Sequence, residues 1–283
     1  MKLVKPQTLL RQSIQQLTGV YDSGEADAIS RLLLYELLQI DRAKLMINEE
    51  IAVADQQLLS FEKSIGRLLR HEPVQHILGY AYFYGRTFRV SPDVLIPRQE
   101  TEELIALVIK EHPGDPLTVL DIGTGSGCIP ITLARELPEV EAYGVDVSEG
   151  ALSVARENAR NLGAKVDFSL LDILNEEPAG LYDVIISNPP YITFSEKAQM
   201  HENVISYEPS LALFVPDEDP LRFYRRITNL SQSHLRPGGR LYFEINEHFG
   251  DETRDLLIAG GFVQVSLIQD LNGKDRIVSG IKS

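Results

Sequence analysis

Near the middle of the chain lies the segment Asp121-Ile122-Gly123-Thr124-Gly125-Ser126-Gly127. An apolar run at residues 118–122 predicts a buried strand that leads into this segment, and a helical pattern begins at Cys128. Glycine lets the backbone turn sharply and come close to a ligand, as a strand-to-helix connection around a nucleotide requires. Several nucleotide-binding folds share this glycine spacing, so by itself it predicts an α/β fold without identifying the ligand.

Strand and helix patterns alternate from this segment to the end of the sequence. Strands are predicted at residues 118–122, 142–146, 166–170, 183–187, 240–245, 263–267 and 276–279. Helices are predicted at residues 128–137, 150–162, 219–233 and 251–260. Alternation with short connections indicates a doubly wound parallel sheet. The last two strands are separated only by a turn at 271–274, so they should pair antiparallel in a seven-stranded, mostly parallel sheet.

Asp146 ends the second predicted strand of this sheet. From that position a carboxylate can accept hydrogen bonds from both hydroxyls of a ribose. The distance from Gly123 to Asp146 (146 − 123 = 23 residues) fits one helix and one strand. A dinucleotide and S-adenosylmethionine would both suit this geometry, and the glycine loop alone leaves the two open.

The segment Asn188-Pro189-Pro190-Tyr191 follows the apolar run 182–187, which predicts a buried parallel strand. Two consecutive prolines cannot continue a central strand, so the chain leaves the sheet at its carboxyl edge, where open α/β sheets place their active sites. The prolines stiffen the loop, and the asparagine side chain offers a carbonyl acceptor and an amino donor. We predict that Asn188 and a proline carbonyl clamp an –NH2 group, with Tyr191 as a flat wall. Hydride transfer has no use for such a clamp, whereas nitrogen methylation does.

Four segments together resemble the HemK/PrmC family over essentially the whole chain. They lie at residues 73–79, 94–102, 121–127 and 188–191. The resemblance implies a class I methyltransferase fold, in which the sheet ends on an antiparallel strand pair. It also implies an enzyme that transfers a methyl group from S-adenosylmethionine to a side-chain amide nitrogen. The acceptor would be the glutamine in the Gly-Gly-Gln loop of class 1 peptide chain release factors, and the reaction would support translation termination.

The resemblance also assigns the site residues. The catalytic residues would be Asn188, Pro189, Pro190 and Tyr191. The cofactor-binding residues would be Gly123, Thr124, Gly125, Ser126, Gly127, Asp146, Asp172, Ile173 and Asn188, with Asp172 and Ile173 against the adenine. The chain departs from the family pattern at two positions, because Gln99 stands in place of a proline and Asn246 in place of a glycine.

Two other functions compete with this interpretation. An adenine-N6 DNA or RNA methyltransferase would use the same four residues at 188–191, but it must flip its base and grip a nucleic acid backbone. A non-catalytic adaptor would keep the fold only as a scaffold. The intact glycine loop, Asp146 and Asn188 disfavour the adaptor.

Charge and composition limit the cellular compartments and the binding partners that suit this chain. The chain has 283 residues, with 27 basic and 41 acidic side chains and a net charge of −14. This balance argues against a general grip on nucleic acid, whose phosphates are bound mainly by lysine and arginine. Cys128 is the single cysteine, the start of the chain lacks the apolar core of a signal peptide, and no apolar run approaches a membrane span. We expect a cytoplasmic monomer without direct nucleic acid binding or membrane attachment, and the six histidines show no metal-ligand spacing.

The sequence predicts three parts. Residues 1–72 carry apolar stripes at helical spacing and predict a small bundle, which we expect to dock the substrate. Residues 73–97 contain an aromatic-rich run at 80–84, a turn at Gly85-Arg86 and a second run at 87–90, and they predict a β-hairpin linker. Residues 98–283 form the expected methyltransferase domain.

Overall fold

A computed structural model describes residues 1–114 and 116–283 of the chain, which folds as two compact units. The first unit consists of Met1–Leu78 together with Glu202–Tyr207, and the second consists of Gly79–His201 and Glu208–Ser283. The helical segment 202–207 therefore packs with the N-terminal residues, although it follows the 188–191 segment in the sequence. The boundaries predicted at residues 72 and 97 stay predictions.

The first unit is a helical bundle with one short antiparallel strand pair. Its elements are β1 (Lys2–Val4), α1 (Pro6–Leu17), α2 (Ser23–Leu38), α3 (Arg42–Ile47), β2 (Ile51–Val53), α4 (Asp55–Leu68) and α5 (Val74–Leu78). Helix α1 begins at Pro6, whose missing N–H would have no partner in a first turn. Helix α2 is capped by the Asp22 side chain, which accepts hydrogen bonds from the Gly24 and Glu25 amides. The apolar stripes meet in one core, in which Leu17, Leu33, Leu34 and Leu68 are fully buried.

The second unit begins with the predicted hairpin. Strands β3 (Tyr80–Phe83) and β4 (Arg86–Arg89) pair antiparallel, so the hairpin is confirmed. The predicted turn residues are off by one position, because the turn is made by Tyr84 and Gly85, at φ +46° and +69°. Two successive residues with positive φ give the backbone twist that a two-residue hairpin loop needs.

The sheet of the second unit has seven strands. In chain order, the elements of this unit after the hairpin are α6 (Gln99–Glu111), β5 (Leu117–Ile122), α7 (Cys128–Glu136), β6 (Val140–Asp146), α8 (Glu149–Leu162), β7 (Val166–Leu170), β8 (Tyr182–Ser187), β9 (Ile192–Thr193), α10 (Ser210–Leu213), β10 (Phe214–Val215), α11 (Arg222–His234), β11 (Leu235–Glu244), α12 (Gly250–Ala259), β12 (Phe262–Gln269) and β13 (Asp275–Lys282). The second unit also has two 3-10 helices, at Phe194–Gln199 and Glu247–Phe249, and the α-helix α9 (Glu202–Tyr207) belongs to the first unit.

The strand order is β12-β13-β11-β8-β5-β6-β7. Strands β11, β8, β5, β6 and β7 pair in parallel, and β13 runs antiparallel to both β11 and β12. The predicted seven-stranded, mostly parallel sheet with an antiparallel final pair is confirmed. One apolar cluster forms around Val119, Val184 and Ile186, and a second forms around Leu120, Ile185 and Phe243, because alternate residues of a strand face opposite sides of the sheet.

The strand order reverses between β5 and β8. From β5 the chain continues to β6 and β7 on one side, whereas from β8 it continues to β11 on the other. The two strands are hydrogen-bonded neighbours, and Ile122 pairs with Ser187 at their carboxyl ends. The register therefore places Gly123 and Asn188, the next residue of each chain segment, side by side at the point where this fold class binds ligands.

Candidate active site

A cavity of about 240 Å³ lies at the carboxyl ends of the parallel strands. Most of the predicted site residues line it. They are Gly123, Gly125, Asp146, Asp172, Ile173, Asn188, Pro189 and Pro190. The other predicted residues are not among its described lining residues, and these are Thr124, Ser126, Gly127 and Tyr191.

The glycine loop owes its shape to backbone conformation. Gly123, Gly125 and Gly127 have φ values of +79°, +52° and +77°, a region that other residues rarely adopt. The amides of Gly123 and Thr124 both donate to the Val145 carbonyl, at 2.9 and 3.0 Å, which ties the loop to the end of β6. A side chain at Gly125 would meet no described atom within 4 Å, so this glycine faces open space.

Gly127 has a different role from Gly125. A Cβ at this position would lie 2.9 Å from Ile131 Cδ1, 3.1 Å from Ala155 Cβ and 3.2 Å from Phe168 Cζ. The residue also caps α7 in the left-handed conformation. Gly127 therefore allows helix and sheet to pack closely, whereas Gly125 lines the cavity.

Asp146 ends β6 with its carboxylate held by two backbone amides. Its Oδ2 accepts from Gly125 N and its Oδ1 accepts from Ser148 N, both at 2.9 Å. Burial raises the pKa of Asp146, and the hydrogen bonds from the Ser148 and Gly125 amides lower it. Each carboxylate oxygen keeps a second lone pair, so the group can still accept hydrogen bonds from a diol in the cavity.

Asp172 is occupied by its own turn. Its Oδ1 accepts from Leu174 N at 3.0 Å and its Oδ2 accepts from Asn175 Nδ2 at 2.7 Å. Ile173 is 8% exposed and packs with the core below the cavity. The structure brings both residues to the cavity wall, where Ile173 offers the apolar surface.

Asn188 leaves the end of β8 and is held by groups from distant parts of the chain. Its Nδ2 donates to Thr101 Oγ1 at 3.4 Å, and Thr101 Oγ1 donates to Glu244 Oε2 at 2.7 Å. The Tyr191 hydroxyl lies 3.5 Å from Glu244 Oε1. Burial raises the pKa of Tyr191 well above its usual value, so its hydroxyl stays protonated.

Two carboxyl groups are fully buried next to this site. Burial raises the pKa of Asp121 to about 7 and the pKa of Glu244 to about 7. Neither oxygen of Asp121 makes a hydrogen bond of good geometry within the described chain, although the nearby Thr124 hydroxyl lowers its pKa. Burial also raises the pKa of Cys128 to about 12, which fits a packing role for this thiol.

The two departures from the family pattern cause no backbone strain. Gln99 is the first residue of α6, where neither a proline nor another residue has a helical partner for its N–H. Asn246 has an ordinary φ of −66°, so no glycine is required. Its Nδ2 donates to the Tyr191 carbonyl at 3.2 Å and to Glu196, and its Oδ1 accepts from His248 N. Asn246 therefore ties the loop after β8 to the end of β11.

Several residues of the site carry no signal that was recognised in the sequence. Glu208, whose side chain is 1% exposed, accepts from Ile96 N at 2.9 Å and from Arg98 at 2.6 Å, which fixes the segment before α6. Thr101, the partner of Asn188, and Glu244, the partner of Thr101, were also missed. An acidic residue at the end of a buried strand, such as Glu244, is the signal that could have been used. Leu211 and Phe223, which line the cavity, gave no such signal.

Comparison with known proteins matches these features. The methyltransferase small domain family matches residues 101–209, and the PrmC N-terminal domain family matches residues 8–79. A release factor glutamine methyltransferase of Bacteroides thetaiotaomicron is 46% identical over 272 residues, which cover 95% of this chain and 96% of the relative. The protein of the same name from Flavobacterium psychrophilum is 41% identical over 272 residues, which cover 94% of this chain and 95% of the relative.

A solved structure supports the fold. A crystal structure of a methyltransferase from Pyrococcus furiosus superimposes with a TM-score of 0.53 at 17% identity, covering 78% of this chain and 99% of that one. At this identity the likeness extends to the architecture of the sheet and its helices.

Proposed function

This chain belongs to the release factor glutamine methyltransferase family, and we propose that it methylates the side-chain amide of the glutamine in the Gly-Gly-Gln loop of class 1 release factors. It is an S-adenosylmethionine-dependent methyltransferase. One observation carries the proposal most strongly. Asn188 and Pro189 stand at the reversal of strand order, beside Gly123 and in the same cavity as Asp146.

We propose that the cavity binds S-adenosylmethionine. We propose that Asp146 accepts hydrogen bonds from the ribose hydroxyls and that Ile173 packs against the adenine beside Asp172. The loop from Gly123 through Gly127, including Thr124 and Ser126, would place its open backbone against the methionine part. The positive φ values of the three glycines and the open space at Gly125 support this arrangement.

An amide nitrogen is a poor nucleophile, because its lone pair is delocalised into the carbonyl. Bound S-adenosylmethionine supplies a methyl group on a positively charged sulfur, which is a strong electrophile. Asn188 Oδ1 and the Pro189 carbonyl would accept the two N–H groups of the substrate and turn its lone pair toward that methyl. Such alignment lowers barriers by several kcal/mol, with roughly 7–11 kcal/mol as an upper range.

Pro190 and Tyr191 would support the clamp. Pro190 would stiffen the loop, and Tyr191, the next residue, would form a flat wall for the planar amide beside the cavity. The nitrogen becomes acidic only as its new bond forms and then releases its proton to solvent, so a strong general base is not required. The residues of the 188–191 segment contain none.

We infer the partners and the compartment from charge and composition. A net charge of −14 supports a protein substrate over direct nucleic acid binding. No helix in residues 1–114 or 116–283 is long and apolar enough to cross a bilayer. We propose a monomer that works in the cytoplasm, where its single cysteine needs no oxidising surroundings. We also propose that residues 1–72 dock the release factor, with 73–97 as linker and 98–283 as the methyltransferase domain.

Incubation with radiolabelled S-adenosylmethionine tests the proposal. The full chain is offered a class 1 release factor, the same factor with its Gly-Gly-Gln glutamine changed to glutamate, and adenine-containing DNA and RNA. Label should appear only in the release factor that keeps its glutamine, and peptide mapping should place the label on that glutamine. Label in nucleic acid, with none in the release factor, would move the assignment to an adenine-N6 methyltransferase.

A further inference from the structure

Two buried residues that do not line the cavity form a hydrogen-bond chain to one residue that does. Thr101 lies in the first turn of α6 and is 3% exposed, and Glu244 ends β11 and is 1% exposed. The two residues are 143 positions apart in the sequence, yet Thr101 Oγ1 lies 2.7 Å from Glu244 Oε2. Asn188, which lines the cavity, reaches the same Thr101 oxygen. The hydrogen-bond chain that holds the Asn188 side chain therefore comes from α6 and β11, which lie outside the loop of Asn188.

The direction of the hydrogen bonds follows from the number of hydrogens available. A threonine hydroxyl has one hydrogen, and a carboxylate can only accept. When Thr101 donates to the Glu244 carboxylate, its oxygen can only accept from Asn188. The amide of Asn188 must therefore present its amino group to Thr101, and its carbonyl oxygen points away from Thr101. No described residue donates a hydrogen bond to that oxygen.

We propose that Glu244, acting through the Thr101 hydroxyl, is a positioning residue that orients the Asn188 amide so that its carbonyl oxygen faces the substrate. The assignment rests on the proposed function, since it concerns the amide clamp at that same site. Without the relay, the planar amide of Asn188 can present either end to the substrate with similar shape. An amino group in that place would repel the N–H groups that it should accept.

Titration of Glu244 gives the relay a pH dependence. Burial raises the pKa of Glu244 to about 7, and the Thr101 hydrogen bond and the Arg276 charge oppose that rise. Below this pKa the protonated carboxyl can donate to Thr101, whose hydroxyl can then donate to Asn188 only if that amide flips and turns its amino group toward the substrate. Turnover should therefore rise with pH through about 7. The titratable or charged groups that bear on Glu244 are Glu100 of α6, Cys128 of α7, Tyr191 after β8, Tyr224 of α11 and Arg276 of β13.

Substitutions of similar size test the relay in the full chain. Thr101→Val removes the hydroxyl and keeps the shape, and Thr101→Ser keeps the hydroxyl. Thr132→Val is the matched control, because Thr132 is a fully buried threonine of α7 whose hydroxyl has no hydrogen-bond partner in the described chain. Single-turnover methylation of a release factor is measured at saturating S-adenosylmethionine, and cofactor affinity is measured by calorimetry.

We expect Thr101→Val to lower the single-turnover rate about tenfold or more, the scale for a misaligned transition-state hydrogen bond, with cofactor affinity unchanged. Thr101→Ser should keep most of the rate, and Thr132→Val should match the wild type. A Thr101→Val rate equal to that of Thr132→Val would overturn the relay. Absence of release factor methylation by the wild type would instead overturn the proposed function, and the relay with it.

Glu244→Gln provides a second test that does not need Thr101→Val to fold. Its side-chain carbonyl can still accept from Thr101, but the group cannot ionise. The rise of the rate through pH 7 should be present in the wild type and absent in Glu244→Gln. The same rise in both proteins would contradict the assignment of that titration to Glu244, and thus the relay.

Discussion

The loops that follow β5 and β8 leave neighbouring strands at the same edge of the sheet, and they are built in different ways. The loop after β5 depends on backbone conformation, with three glycines at positive φ. The loop after β8 depends on side chains, with two prolines for stiffness and a hydrogen-bond chain from Asn188 through Thr101 to Glu244. We propose that the two loops divide the work, with backbone conformation serving cofactor binding and side chains serving alignment of the substrate amide.

Asn188→Ala should have the largest effect. The substitution removes the side-chain acceptor and leaves the prolines and the glycine loop in place, so turnover should fall by about a hundredfold or more, as for loss of one preorganised hydrogen bond. Asn188→Asp keeps an acceptor of the same size and should retain more activity than alanine. Single-turnover rates with release factor separate the two variants. Equal rates for alanine and aspartate would show that the acceptor does not contribute.

Asp146→Ala should affect cofactor binding rather than the alignment of the substrate amide. Loss of the carboxylate should weaken binding of S-adenosylmethionine by roughly 1.5–3 kcal/mol, the scale for hydrogen bonds to a charged group. At saturating cofactor the methylation rate should change much less than in Asn188→Ala. Calorimetry measures the affinity, and unchanged affinity would remove Asp146 from the cofactor site.

Alanine substitutions at two glycines of the same loop should lower the free energy of unfolding by different amounts. Gly127→Ala forces a Cβ to within 2.9 Å of Ile131 in addition to its positive φ, so it should cost about 1–3 kcal/mol beyond the backbone strain. Gly125→Ala meets no described atom within 4 Å and should cost only the strain, about 1 kcal/mol. Urea unfolding of the cofactor-free variants measures both. Equal losses would mean that close packing is not the reason for Gly127.

The sequence predicted structure well in segments where a single local factor, either burial or backbone conformation, determines the structure. Apolar runs and glycine and proline breaks predicted the seven strands of the sheet and the loops at 123–127 and 188–191, because burial and backbone conformation act locally. Element ends shifted by a few residues, as where helix α11 begins at Arg222 rather than 219. The predicted residues Gly123, Asp146 and Asn188 share a cavity because adjacent parallel strands end at the same edge.

The contacts that hold Asn188 could not be predicted in the same way. Thr101 and Glu244 are brought together over 143 residues by the packing of α6 against strand β11 of the sheet, and no local pattern records that pairing. The segment after Tyr191 also gave no periodic signal, yet it contains β9, α9, α10 and β10. These elements are short, with two to six residues each, so neither helical nor strand periodicity can develop.

The separation of cofactor binding from acceptor alignment is tested most directly by measuring two quantities on each of two variants. The dissociation constant for S-adenosylmethionine and the single-turnover rate at saturating cofactor are determined for Asn188→Ala and Asp146→Ala with the same release factor. We predict a rate loss with near-native affinity in Asn188→Ala, and an affinity loss with a near-native rate in Asp146→Ala. Methylation by Asn188→Ala at the native rate would contradict the amide clamp.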